Sequence, residues 1–134
     1  MMNIDDIKEP IALLSSTGEQ CFGSTESHEA LINQVQSRFP TKPYCLVADW
    51  SIYRLDLTAE EFITIYGAGE LPLIMYAQKV ILDSQRRFEV GDWIRIRKCV
   101  SFDGVMFETK NTAYVLVGAG RQKTGRLKQI LFFV

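Results

Sequence analysis

The sequence predicts an α+β fold, with two or three N-terminal helices packed on a curved antiparallel sheet or partial β-barrel formed mainly by the C-terminal half. Three observations predict it. Apolar residues recur at helical spacing in three places before Gly67. From Leu71 onward they run instead as strands separated by turn residues. Helix–strand alternation is absent after residue 70, which argues against a parallel doubly wound sheet.

The elements follow in order. Ile4, Ile7, Ile11 and Leu14 mark a first helix, interrupted at Pro10 and stopped by Ser15-Ser16-Thr17-Gly18; residues 16–25 read as a loop. Ser24, Thr25 or Ser27 caps a second helix, whose Leu31, Val35 and Phe39 share a face joined by His28 and Ile32, and which Pro40 ends. Tyr44–Ala48 is a strand, and Ile52–Leu57 is its continuation or partner. Thr58-Ala59-Glu60-Glu61 is a capping box for a third helix that turns Phe62, Ile65 and Tyr66 inward and ends at Gly67 or Gly69. Leu73–Leu82 is a long strand, and Val90 starts another that runs through Val100. Val105–Val117 is one long strand or two joined near Asn111. Gly118–Gly125 reads as a basic loop, and Leu127–Val134 closes the chain as a strand, either buried or an edge that pairs with another copy.

Charge divides at the boundary between the two halves. Residues 1–70 carry eleven acidic and four basic side chains, and residues 71–134 carry eleven basic and five acidic ones, although the whole chain sums to −1. Such a division implies an anionic partner for the basic half, or attraction between the halves that salt would screen. The 134 residues suit one domain, 1–134. No window is apolar and long enough to span a bilayer, and Met1-Met2-Asn3-Ile4-Asp5-Asp6 lacks the features of a signal peptide, so the expectation is a cytoplasmic protein with no membrane partner. Cys21, Cys45 and Cys99 form no C-x-x-C and read as small apolar residues; the lone histidine, His28, follows Cys21 by seven positions.

Asp103-Gly104 is a two-residue hairpin signal. Counting outward places Phe102 opposite Val105, Val100 opposite Phe107, Ile96 opposite Asn111 and Ile94 opposite Ala113 on an inward face. The outer face then pairs Cys99 with Glu108, Arg97 with Lys110, Arg95 with Thr112 and Trp93 with Tyr114. Opposed Arg97 and Lys110 repel by some tenths of a kcal/mol unless an anion lies near or Glu108 screens them. With Lys98 and the cations Arg121, Lys123, Arg126 and Lys128 they form a candidate basic surface with nearby aromatics.

Other chemistries fit less of the chain. Gly118-x-Gly120 before Lys123-Thr124 lacks the phosphate-loop spacing. Glu108-Thr109-Lys110 has the E-x-K form of a metal-dependent nuclease, which would need Asp83 or Asp92 upstream. Asp49, Asp56, Glu60 and Glu61 gather carboxylates suited to acid–base work, but no nucleophile elbow, serine triad or H-E-x-x-H is present. Trp50, Tyr53, Trp93 and Tyr114 are the aromatics suited to anchoring a partner.

Cys45-Leu46-Val47, Val90-Gly91-Asp92-Trp93, Val100-Ser101-Phe102, Phe107–Thr112 and Tyr114–Gly120 together resemble a family of short uncharacterised bacterial proteins, over about Phe39–Lys123. The resemblance implies a bacterial or prophage setting and no assigned activity. Val90–Arg95 is also similar to the strand entry of many small β-barrels, including SH3-like ones, a pattern too common to carry function.

The functional expectation is a small non-enzymatic binding protein, of the inhibitor, immunity or phage-accessory type. It has no catalytic residues, cofactor or metal, and holds a protein partner through Trp93, Arg95, Arg97, Lys110, Tyr114, Arg121, Lys123 and Arg126. A nucleic-acid-binding module using the same residues is the alternative, and the E-x-K nuclease the second alternative.

Overall fold

A computed structural model of the protein describes residues 18–126, so the helix expected over Ile4–Leu14 and the strand expected over Leu127–Val134 lie outside the described residues. The described chain runs β1 (Glu19–Phe22), α1 (His28–Arg38), β2 (Tyr44–Leu55), α2 (Ala59–Gly67), β3 (Leu73–Asp83), β4 (Ile94–Ile96), β5 (Cys99–Phe102), β6 (Met106–Thr109), β7 (Ala113–Leu116) and β8 (Ala119–Gly125). The fold is α+β around one curved, mostly antiparallel sheet that is not closed.

Strand β2, from the N-terminal half, is its axis. One edge pairs antiparallel with β3 along nearly the whole strand. The other edge takes β7 and then β8, both parallel, with Gly118 (φ 74°) between them. The segment expected as a basic loop is therefore strand β8, and residues 19–22, expected as loop, pair with it as β1. From β2 one path runs through β7 and β6 to β5, the other through β3 to β4. Only Arg97 and Lys98 separate β4 from β5 in the chain, so two of the three ends of the branched sheet are covalently adjacent. Their inward side chains meet in one core that joins Ile94, Met75, Ile52, Tyr114, Phe107 and Cys99. A sheet that shares one apolar interior between its first and last strands is a partial barrel.

Within β2 the inward residues are Cys45, Val47, Trp50 and Ile52. That spacing skips a residue at Asp49, whose φ is 52°, and β3 skips likewise between Ala77 and Val80. This is the corner where both strands turn with the curve of the sheet.

Helix α1 begins where expected. The Ser27 hydroxyl accepts from the Ala30 amide at 3.2 Å, and Leu31 and Val35 pack with Leu46, Ala113 and Val115 in a second core on the outer side of β2 and β7. Helix α2 has the expected capping box, with Thr58 and Glu61 exchanging both bonds. Its packing departs from expectation, because Phe62, Ile63 and Tyr66 are 53%, 70% and 45% exposed and Ile65 is only half-buried. A hollow of about 420 Å³, lined from the helix by Glu60, Glu61, Thr64, Ile65 and Ala68, lies between it and the sheet margin, and the Phe62–Tyr66 ring pair (4.4 Å) stays outside it.

The hairpin differs from the counted register in two ways. Phe102 lies opposite Phe107, not Val105, and Cys99 opposite Thr109, with an irregularity between Cys99 and Ser101. The bend sits one residue later because the Asp103 carboxylate accepts from the Val105 and Met106 amides (2.9 and 2.7 Å) and binds Arg38, while Gly104 takes the positive φ of 98°. The expected long strand also breaks at Lys98 (φ 61°), so Ile94, Arg95 and Ile96 pair with Ala77, Tyr76 and Met75 of β3 and never meet 111–114. Residues 109–112 close their own turn, with the Thr109 amide donating to the Thr112 carbonyl at 2.9 Å, and this folds β7 back on β6.

A lysine in left-handed backbone carries a cost of about 1–2 kcal/mol that glycine avoids. Set against glycine's greater unfolded-state entropy, Lys98→Gly is expected to leave stability unchanged or raise it by up to ~1 kcal/mol, read as a urea midpoint. A loss above ~1 kcal/mol would show that the lysine side chain, rather than the bend, holds the corner.

Candidate anion-binding surface

Pairing across four strands sets Arg121 (β8), Ser51 (β2), Tyr76 (β3) and Arg95 (β4) in one row. Directly paired residues share a face, and Trp50, Ile52, Met75 and Ala77 on either side of the row are inward, so the row lies on the outer face. The next pair along, Lys123 and Tyr53, lies on the same face, with the Lys123 ammonium 6.0 Å from the Tyr53 ring centre. Trp93, 59% exposed, packs against Tyr76 with ring centres 5.9 Å apart and planes tilted by 34°. These groups feel one another. Burial, then the charge of Arg121, holds the Lys123 ammonium below the usual lysine range. Burial, then Tyr76, pushes the Tyr53 phenol up. Asp49 and Arg121 share the rim of a shallow hollow of about 290 Å³ beside the row.

A second gathering lies at the open side of the barrel. An open, solvent-facing cavity of about 450 Å³ separates the β4–β5 corner from the 109–112 turn, and its charged lining is Arg87, Arg95, Arg97, Lys98 and Lys110. No acid lines it. Arg87 is fixed there by a fork to Asp83 (3.0 and 2.8 Å), whose carboxylate is fully buried, and by donation to the Thr112 hydroxyl at 2.8 Å. Burial pushes the Asp83 carboxyl up, but the hydrogen bonds and charge of Arg87 outweigh it and hold the group below the usual carboxylate range.

The eight expected contact residues are thus divided. Trp93, Arg95, Arg121 and Lys123 come together on the sheet face, and Arg97 and Lys110 meet at the cavity, where Arg95 also reaches. Arg97 and Lys110 are not strand partners, and Glu108 does not screen them, because Lys42 binds its carboxylate at 2.6 Å. Tyr114 does not face Trp93; it is a core residue, 5% exposed. Arg126 follows β8, exposed, but out of the alternation that aligns Arg121 with Lys123. Sequence reasoning missed Tyr76 and Arg87. Tyr76 stands between inward Met75 and Ala77, and its alternation was hidden in an almost wholly apolar run. Arg87 stands four residues after Asp83, in a segment that reads only as a turn.

The described ion pairs sharpen the division of charge. Arg38–Asp103 and Lys42–Glu108 each join a cation of the acidic half to an acid of the basic half, and Asp83–Arg87 removes another acid from the basic half.

The remaining candidates find other roles. Gly120 lies flat under the Trp50 indole, and β8, not a helix, follows the Gly118-x-Gly120 segment. Glu108 and Asp83 are held by Lys42 and Arg87, Asp92 accepts from the Glu89 amide at 3.0 Å, and among the described residues no three His, Cys, Asp or Glu side chains are placed to hold a metal. Burial pushes the Cys45 thiol up to about 12 and the Cys99 thiol up to about 11, which keeps both protonated and unreactive.

Residues 22–132 match the model of a family described as Domain of unknown function (DUF6957). The chain belongs to this family. It is an uncharacterised family, as the quoted segments imply, and the matched span contains both the sheet-face row and the cavity. No curated protein sequence and no solved structure matches the chain. Among the described residues no helix is long and apolar enough to cross a membrane.

Proposed function

We propose that this member of the family is a non-enzymatic binding protein that takes single-stranded nucleic acid on the outer face of β8, β2, β3 and β4. The row Arg121–Ser51–Tyr76–Arg95, with Trp93 packed against Tyr76, carries the reading. An exposed indole offers a platform for a base, and the backbone positions of the two arginines lie three strand spacings, about 14 Å along the sheet, apart, a span that one short strand of nucleic acid covers. The near-neutral whole chain disfavours strong nonspecific binding to duplex, which favours a short stacked segment over a long charged track. A phage-accessory or inhibitory role in a bacterial cytoplasm suits such a module, acting by covering its partner.

Fluorescence anisotropy with short single-stranded oligonucleotides at low salt tests this. Binding should fall with salt, Trp93→Ala should weaken it at least fivefold, and Arg121→Ala should lower the salt slope by about 0.7. Absence of binding at low salt, or an affinity that ignores Trp93→Ala, would overturn the reading. Capture of a defined acidic protein through these same residues, without oligonucleotide binding, would replace it with the protein-partner reading.

A further inference from the structure

We infer that the cavity between the β4–β5 corner and the 109–112 turn is a phosphate-binding site, taking the phosphate of a nucleotide-sized ligand or of a strand terminus. It goes beyond the sheet-face reading and shares only Arg95 with it.

The argument begins with charge. Arg97, Lys98 and Lys110 line one cavity, and none has an acidic partner among the described residues. Like charges brought together in this way repel, by tenths of a kcal/mol per neighbouring pair. Glu60, Glu61 and Glu70 line a neighbouring hollow with Arg97 and Lys98 but form no ion pair with either, and the acids beside the cavity itself are engaged elsewhere. The Asp83 carboxylate is buried behind Arg87, and that of Glu108 is drawn to Lys42. An anion entering the cavity turns this repulsion into binding energy.

The second observation is preorganisation. The Arg87 guanidinium is already fixed by Asp83 and Thr112, and of its five N–H groups two remain free of these bonds. Arg97 and Lys98 are set by a backbone corner held in left-handed conformation rather than by a mobile loop of glycines. Lys110 and the Asn111 amide stand opposite, on a turn tied by the Thr109–Thr112 bonds. A rigid fork, further point charges and neutral donors, with no carboxylate in the lining, match a tetrahedral dianion rather than a cation or an apolar ligand. The volume of about 450 Å³ lies within the range of small-ligand sites and leaves room for the sugar and base attached to the phosphate.

The test is titration of the full chain with inorganic phosphate, pyrophosphate and a mononucleotide, followed by amide chemical shifts and calorimetry. Saturable binding is expected at sub-millimolar to low-millimolar concentration, with shifts centred on residues 95–98 and 109–112. Lys110→Ala and Arg97→Ala should each weaken it at least fivefold, while the exposed Lys79→Ala, outside both surfaces, leaves it unchanged. Unaltered amide spectra elsewhere establish that the variants remain folded. Failure of all three ligands to saturate, or binding indifferent to the Arg97→Ala, Lys110→Ala double variant, would overturn the proposal. Oligonucleotides with and without a 5′-phosphate separate the ligand sources: a preference of fivefold or more that Lys110→Ala abolishes assigns the site to strand ends, and mononucleotide binding without that preference assigns it to free nucleotides. Phosphate binding without oligonucleotide binding would remove the sheet-face reading and leave the cavity standing; the converse would remove the cavity alone.

Discussion

Replacing Arg87 with alanine is expected to lower the stability of the fold by about 3 kcal/mol. The Asp83 side chain is fully buried at the end of β3, and the Arg87 guanidinium supplies two of the bonds that make its charge tolerable there; those from the Arg87 amide, at 2.6 Å, and the Phe88 backbone survive the substitution. Removing the guanidinium leaves a buried carboxylate facing apolar core and takes away the donor to Thr112 as well. The effect has a pH signature whose sign is set. The folded Asp83 carboxyl lies below its ordinary value, so the pair contributes fully above the unfolded carboxyl range near pH ~3.9 and is lost as pH falls through the folded value. The stability gap between the natural chain and Arg87→Ala should therefore be constant at neutral pH and shrink below about pH 4. Urea unfolding across pH 3–8 measures it. A gap under about 1 kcal/mol at pH 7, or one that widens in acid, would contradict the pairing.

Gly120→Ala is the second large effect. An added methyl at residue 120 would fall within the indole of Trp50, against three of its ring carbons. Trp50 cannot yield easily. It is buried in the main core, and its Nε1–H donates to the Gly118 carbonyl at 3.2 Å. The strand or the indole must move, and overpacking of this kind costs about 1–3 kcal/mol before any loss of the β2–β8 ladder is counted. Gly118→Ala is the matched control. It meets nothing within 4 Å and suffers only from its φ of 74°, a cost of about 1 kcal/mol. Tryptophan fluorescence in a Trp93→Phe background, followed through denaturation, separates the two. Equal midpoints for Gly118→Ala and Gly120→Ala would show that β8 does not lie on Trp50 as described.

Much of the local structure was legible. Ser27 and the Thr58–Glu61 box mark the starts of α1 and α2 because their signals involve groups within three residues of one another. Strand β3 was legible as a long apolar run. Of the expected contact residues, Arg95, Arg97 and Lys110 do line one cavity, but their arrangement was not legible. The counted hairpin placed Arg95 opposite Thr112 and Trp93 opposite Tyr114. The chain instead breaks at Lys98, a residue type that gives no warning of left-handed backbone, and every pairing beyond that point changes. Asp103 likewise reads as a loop residue, but tertiary contact with Arg38 and its own amide bonds move the bend.

By itself, then, the sequence determined where α1 and α2 start, that the segments of β2 to β7 are extended, and that cations concentrate after residue 70, but not that residues 19–22 and 119–125 are strands. Tertiary structure alone decided that β2 is the axis, that β4 leaves the hairpin for β3, and that Tyr76 and Arg87 join the candidate surfaces. The physical reason is range. Caps, turns and apolar periods are set by neighbours a few residues apart, whereas the choice between β3 and β7 as the partner of β4 is settled by which pairing buries Ile94 among Met75, Ile52 and Phe107, residues that only the assembled sheet brings together.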